Sequence, residues 1–223
     1  MPRNARFTIE NGIYHVMHRG ANKDRIFNVR EDYQKLLILL AEKKRACCVK
    51  LYHFALMPNH LHLVLYASTG KELSVFMKRV AVGYAVYYRK KYGGIGHFFQ
   101  DRFKSCLIQN GTYLLECGRY IELNPVKAGI VDSPEKYEWS SYRHYSGVHK
   151  FEFLELSPEY LGLGEHEADI QKAYKAYVDE GFDEKRDEER YFRQGYYGSD
   201  QFGVKLREKG LNNKWSHSGR PYK

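Results

Sequence analysis

The sequence predicts an α+β fold in which an antiparallel four-stranded sheet is packed against helices, and three observations lead there. Short apolar runs with a two-residue period alternate with amphipathic helical segments in the order strand, helix, strand, strand, helix, strand, helix. The second and third runs are separated only by Pro58-Asn59, the connection of a hairpin. A chain of 223 residues is long enough to bury a core around such a sheet and to carry an appendage.

The first strand covers Ile13 to Arg19. Alternation puts Ile13, His15, Met17 and Arg19 on one face and Tyr14, Val16 and His18 on the other. Gly20 stops it, and Gly20 to Arg25 is a polar turn. From Asp32 to Arg45, Leu36, Leu37, Leu39 and Leu40 follow the helical period, and the basic residues at the end suit the helix dipole. The second strand, Val49 to Met57, leads through Pro58-Asn59 into His60-Leu61-His62-Leu63-Val64-Leu65. On that third strand His60 and His62 share one face, with Cα atoms roughly 6.6 Å apart at the usual rise per residue. Leu61, Leu63 and Leu65 share the other, the pattern of a half-buried strand with its leucines on a core.

Ser68-Thr69-Gly70 leads into a long, largely amphipathic helix from Glu72 to Tyr92, with Leu73, Phe76, Met77, Val80, Tyr84, Val86 and Tyr87 as its apolar residues and Lys78, Arg79, Arg89, Lys90 and Lys91 on its other face. Gly93-Gly94-Ile95-Gly96 ends that helix, and His97 to Gln109 is the expected fourth strand. A further helix begins at Thr112 and is expected to end near Asn124, because Pro125 disfavours helix in the residue before it. This order is that of a split βαβ sandwich of ferredoxin-like type, with one face covered and the open face left for a ligand. The expected division is a domain over 1–145 and a helical and basic extension over 146–223. Within the extension, Glu165 to Tyr177 and Asp187 to Arg193 read as short helices, Asp179 to Glu189 as a solvated face or linker, and Val204 to Lys223 as a mobile basic tail.

Lysine and arginine outnumber aspartate and glutamate by 36 to 27, and aromatic residues make up 15 % of the chain, with 20 tyrosines among them. Cations meet phosphates and rings stack on bases, so nucleic acid is one partner this composition suits; a soluble basic protein is the plainer alternative. Cys47, Cys48, Cys106 and Cys117 form no C-x-x-C pair and read as reduced thiols. No apolar run approaches the roughly 18 residues of a membrane span, and the polar start does not read as a signal peptide. A cytoplasmic location away from membranes is expected, with the nucleoid as the place for DNA work.

His60-Leu61-His62 alone leaves two readings open: imidazoles that share an ion, or histidines hydrogen-bonded at a sheet surface. Tyr120 and Asn124, four residues apart on one helical face, offer that ion a purpose. A metal held by His60, His62 and Asn124, with Tyr120 as nucleophile, would suit phosphodiester chemistry. A tyrosine with its usual pKa near 10 needs activation at neutral pH, and no general base is evident in the sequence. The alternative for Tyr120 is an ordinary tyrosine packed against the sheet. Arg19, Arg25, Lys78, Arg79, Arg102 and Lys104 are candidates for contacts to a DNA backbone, or else solvated surface charges.

Met57-Pro58-Asn59-His60-Leu61-His62-Leu63, Tyr120-Ile121-Glu122-Leu123-Asn124-Pro125-Val126-Lys127-Ala128-Gly129 and Trp139-Ser140-Ser141-Tyr142 together resemble the REP-associated tyrosine transposases, which belong to the single-tyrosine HUH transposases. His18-Arg19-Gly20 and Gln100-Asp101-Arg102-Phe103-Lys104 extend the resemblance to roughly residues 1 to 145, and Gly219-Arg220-Pro221 matches the family's basic ending more loosely. The resemblance implies a nuclease that binds single-stranded or hairpin DNA from repetitive extragenic palindromes. Its tyrosine attacks a backbone phosphorus, keeps the 5′ phosphate of the downstream fragment and releases a 3′ hydroxyl. By position, His60 and His62 match the histidine pair, Tyr120 the nucleophile and Asn124 the polar residue that completes the ion site. The implied ion is magnesium or manganese, with phosphate oxygens and water filling its shell, although paired imidazoles alone would suit zinc. Two other functions are weighed against this one. A non-catalytic ferredoxin-like module would bind single-stranded DNA or RNA on its open sheet face, and a zinc hydrolase is disfavoured because neither an H-E-x-x-H nor a third histidine at metal spacing stands out. A monomer is expected, the extension covering surface that related transposases use to dimerise.

Overall fold

The computed structural model describes residues 6–181 and 188–211. Its first elements are β1 (Gly12–Arg19), α1 (Arg30–Ala46), β2 (Val49–Met57), β3 (His60–Ala67), α2 (Gly70–Tyr92), β4 (Lys104–Ile108) and α3 (Thr112–Lys127), the order the sequence predicts. The sheet runs β2-β3-β1-β4 with every neighbour antiparallel, and the short strand β5 (Tyr196–Tyr197) adds to β4 in parallel. This is the ferredoxin-like arrangement, extended by one strand from the C-terminal segment.

Local chemistry accounts for the element boundaries. The Thr69 hydroxyl accepts from the Glu72 backbone N–H while the Glu72 carboxylate accepts from that of Thr69, a reciprocal cap that starts α2. At the head of α1, buried Asp32 accepts from the backbone of Asn28 and Val29 and from Tyr87, Lys91 and Tyr92 at the end of α2. Burial would raise this carboxyl, but those donors outweigh it and hold its pKa at about 2. The leucine face of β3 packs as predicted: Leu61, Leu63 and Leu65 join Tyr14, Val16 and Phe54 under Leu36 and Leu40 of α1 and Phe76, Val80 and Tyr84 of α2. Each such side chain contributes about 1.5–3 kcal/mol by leaving water.

Several expectations are corrected. The fourth strand is shorter than His97 to Gln109 and begins only at Lys104. Before it, the aromatic residues that gave the strand-like pattern plug a loop: Phe99 stacks on His18 at 3.8 Å, Phe98 lies 4.6 Å from Tyr88, and the Arg6 guanidinium sits over Phe103. α3 does not stop near Asn124 but carries Pro125 within its last turn and ends at Lys127. There the Asn124 carbonyl accepts from Ala128 and the Pro125 carbonyl from Ile130, so the helix end remains bonded around the missing proline N–H.

The face carrying His60 and His62 is not open either. α3 lies across it, and so does α7 (Glu188–Gln194), one of the helices that follow α3 as α4 (Tyr142–Tyr145), α5 (Pro158–Leu161), α6 (Glu167–Asp179), α7 and α8 (Asp200–Glu208). Of the acidic stretch, Asp179 ends α6 and Glu188 and Glu189 start α7, in keeping with the short helix expected from Asp187 to Arg193, while 182–187 lie outside the described residues. Val204 to Glu208, expected in a mobile tail, belong to α8, which Ser199 caps and which buries Leu206; 212–223 lie outside the described residues. Phe151, Leu154, Tyr196, Leu206 and Leu211 join the main core, packed together with the sheet. Among the described residues, no helix is long and apolar enough to cross a membrane.

Candidate functional site

Two histidines open β3 at the end of the sheet where β1 finishes. His60 stands opposite Met57 of β2 and Arg19 of β1, and His62 opposite Ala55 and Met17. Their rings meet edge to face at 4.9 Å. The His60 Nδ1–H donates to the Asn59 side-chain oxygen at 2.5 Å, which leaves Nε2 as the ring's lone-pair nitrogen. Burial, and then the neighbouring His62 and Arg19, push the His60 pKa down to about 2. The ring is therefore neutral at physiological pH, the form in which imidazole binds a cation.

α3 brings Tyr120 over the same face. Tyr120 is buried with Val64, Cys117, Ile121 and Ala55, the last being the cross-strand partner of His62, and the Lys127 ammonium lies 5.8 Å from its ring centre. One turn on, the Asn124 amide nitrogen is buried with no hydrogen-bond partner among the described residues. Amide oxygen and nitrogen exchange places by a simple flip, so an amide in this position can present its oxygen to a cation instead.

The residue between them fixes the helix. Glu122, fully buried, accepts from His53 Nδ1–H at 2.9 Å, from the Ser141 hydroxyl at 2.5 Å and from the Tyr174 hydroxyl at 2.7 Å. One carboxylate thus ties α3 to β2, to the segment before α4 and to α6. Burial, and then the nearby Glu122 charge, raise the Tyr145 and Tyr174 hydroxyls well above their ordinary pKa, so both remain protonated donors. Gly118 permits the close approach, since a Cβ there would meet the His53 ring at 2.6 Å. Glu122 and Ser141 lie within the family-like motifs but outside the predicted site set; a carboxylate on a helix face otherwise lined by Cys117, Gly118 and Ile121 is the signal the sequence carries for them.

The candidate cations divide by location. Arg19 lies beside His60, and its Nε is buried without a hydrogen-bond partner among the described residues. Lys104 opens β4 opposite Met17, Arg102 precedes it next to Asp101, and the Asp101 carbonyl accepts from His18 Nε2–H at 2.9 Å, so both sit at the histidine end of the sheet. Arg25 lies in the loop after β1, in a cleft with Tyr88, Arg89 and Phe98. Lys78 and Arg79 are not brought to the histidines. They are exposed on α2, across the sheet, where Arg79 reaches the end of α1 at Ala46.

Two residues outside the predicted set join His62. His15 Nε2 lies 3.0 Å from His62 Nδ1, and a Glu188 carboxylate oxygen lies 3.3 Å from His62 Nδ1 and 3.5 Å from His15 Nε2. His15 was legible as a polar residue on the same face of β1 as Met17 and Arg19. Glu188 was not, because no spacing rule links a carboxylate so far along the chain to β3.

A family model described as Transposase IS200 like matches residues 8–124, from just before β1 through Asn124. Among solved structures, the chain is similar to one described as "Structure of the REP associates tyrosine transposase bound to a REP hairpin". The TM-score is 0.56 at 19 % identity, over 70 % of this chain and 99 % of that one. At that identity the likeness is one of fold. No curated protein matches the chain.

Proposed function

The chain belongs to the IS200-like transposase family, and from that premise we propose that it is a single-stranded DNA endonuclease and strand transferase that acts on REP-like palindromic hairpins through a 5′-phosphotyrosine on Tyr120. The observation that supports this reading is the packing of Tyr120 of α3 against Val64 of β3 and Ala55, the cross-strand partner of His62. The solved relative bound to a REP hairpin supports the choice of DNA.

In this reading the Tyr120 oxygen attacks a backbone phosphorus, a P–O bond to Tyr120 forms and the P–O3′ bond breaks. The upstream strand leaves as a 3′ hydroxyl, and the downstream strand stays on the protein through its 5′ phosphate. Attack by another 3′ hydroxyl reverses the step and joins strands. His60, His62 and Asn124 would hold a divalent cation, magnesium or manganese: His60 is neutral with its lone pair on Nε2, and Asn124 has an unsatisfied amide. Such a cation, when bound, supplies positive charge that polarises the phosphate and draws the tyrosine toward its anion. Arg19, with its buried Nε beside His60, binds a phosphate oxygen at the cleaved step. Arg25, Arg102 and Lys104 follow the backbone away from it, while Lys78 and Arg79 would contact only DNA that continues around to α2.

Residues 1–145 carry the chemistry in this account and residues 146–223 form an extension. The protein works on DNA in the cytoplasm, as a monomer. Incubating it with 3′-labelled hairpin DNA and manganese, then separating under denaturing conditions, tests the proposal. Label should stay with the wild-type protein and be lost in Tyr120→Phe. Tight binding with no adduct under any divalent ion would instead identify a non-catalytic single-strand-binding module.

A further inference from the structure

We propose that His15, His62 and Glu188 form a second cation site, of the zinc class, which fastens the C-terminal extension to the sheet and withdraws His62 from cleavage when filled. The withdrawal rests on the function proposed above; the site itself does not.

Three donor atoms converge from three elements: His15 Nε2 on β1, His62 Nδ1 on β3 and a Glu188 oxygen on α7. They lie 3.0, 3.3 and 3.5 Å from one another. Zinc binds imidazole nitrogen and carboxylate oxygen at about 2.0–2.1 Å in tetrahedral sites, which sets neighbouring ligands about 3.3 Å apart. A triangle of the observed size therefore has a point about 2 Å from all three corners, with a fourth position left for water.

Electrostatics and packing agree with that geometry. Both imidazoles are 2 % exposed and the carboxylate 21 % exposed, so two almost dry ring nitrogens face each other and require either a shared proton or a cation between them. Two imidazoles and one carboxylate suit zinc and its neighbours, whereas magnesium prefers a full shell of oxygen. The helix that delivers Glu188 is held in place: Phe192 rests on the His15 ring at 5.0 Å, and Tyr191 packs on Tyr197 of β5 at 4.6 Å. Glu188 lies beyond the residues the family model matches, so the site draws on this chain's extension.

The consequence for cleavage follows from imidazole chemistry. A ring that binds a cation through Nδ1 keeps its proton on Nε2, and a protonated Nε2 cannot donate to a second ion beside His60. Filling one site therefore removes a ligand from the other, and zinc should inhibit manganese-dependent cleavage.

The test is a titration of the full chain, without DNA, with cobalt(II) as the spectroscopic probe and zinc as competitor. Wild type should bind one cobalt with the absorption of a four-coordinate site and release it to zinc. Glu188→Ala and His15→Ala should each weaken binding by at least about tenfold, while His60→Ala retains it. Circular dichroism checks that each variant folds; Glu188 is partly exposed, so its variant stands if His15→Ala does not. Failure of wild type to bind cobalt would overturn the site, as would loss in His60→Ala with none in Glu188→Ala. None of these readouts depends on cleavage. Zinc bound here without loss of manganese-dependent cleavage would overturn the withdrawal of His62.

Discussion

Replacing Glu122 with leucine should loosen the helix that presents Tyr120 without touching the site itself. The carboxylate accepts from His53, Ser141 and Tyr174 in a setting with no solvent exposure. Leucine fills similar volume but accepts nothing. The Ser141 hydroxyl has a second acceptor in the Phe54 carbonyl at 3.2 Å, so it is only partly orphaned. The His53 N–H and the Tyr174 hydroxyl lose their partner. Buried donors left unsatisfied cost about 1–3 kcal/mol each, so with two of them orphaned the expected loss is about 2–6 kcal/mol. Urea unfolding of the full chain measures it. Adding Tyr174→Phe removes one orphan, and the double variant should recover about 1–2 kcal/mol of that loss. A loss below about 1 kcal/mol, or strict additivity of the two changes, would refute the idea that this carboxylate anchors α3.

Stability should also depend on pH through His18, whose pKa burial pushes down to about 4 despite its bond to the Asp101 carbonyl. The folded form wants a neutral ring, so this contribution is complete above the unfolded value near 6.5. It is lost as pH falls from there toward 4, by about 3 kcal/mol in all; urea midpoints across that window should fall more steeply in wild type than in His18→Phe. Gly118→Ala would drive a Cβ to 2.6 Å from a His53 ring that Glu122 holds and Tyr145 stacks on, and should cost about 1–3 kcal/mol in the same unfolding assay; an unchanged midpoint would show that the ring can move aside. Arg19→Ala should weaken hairpin binding and reduce the slope of log affinity against log salt by about one, as expected for loss of one phosphate contact, whereas an unchanged slope would place Arg19 off the DNA.

The parts of the fold that were legible in the sequence are those set by local chemistry. Alternation along β1 and β3 and the Pro58-Asn59 connection each act over a few residues, and each formed as read; the equally local cap of Thr69 and Glu72 starts α2 at Gly70, two residues before the expected Glu72. The leucine face of β3 was assigned correctly for the same reason. The histidine face was misjudged because polar residues on alternate positions suggest solvent, yet α3 and α7 close over them with Cys117, Gly118 and Phe192. Aromatic spacing from Phe98 to Phe103 imitated a strand, where ring packing against His18 and Tyr88 decided for a loop. The pairing of Tyr120 with Asn124 could be seen in one helical period; the buried Glu122 network and the arrival of Glu188 beside His62 depend on tertiary contacts that no local pattern encodes.

A covalent bond between Tyr120 and DNA is tested most directly by finding that bond. Hairpin DNA trapped on the protein with manganese can be trimmed by nuclease, the protein digested and its peptides weighed by mass spectrometry. A nucleotide should be attached through its 5′ phosphate to the peptide containing Tyr120, and to no other. The same mass on a different tyrosine, or a trapped complex in which Tyr120 is unmodified, would contradict it.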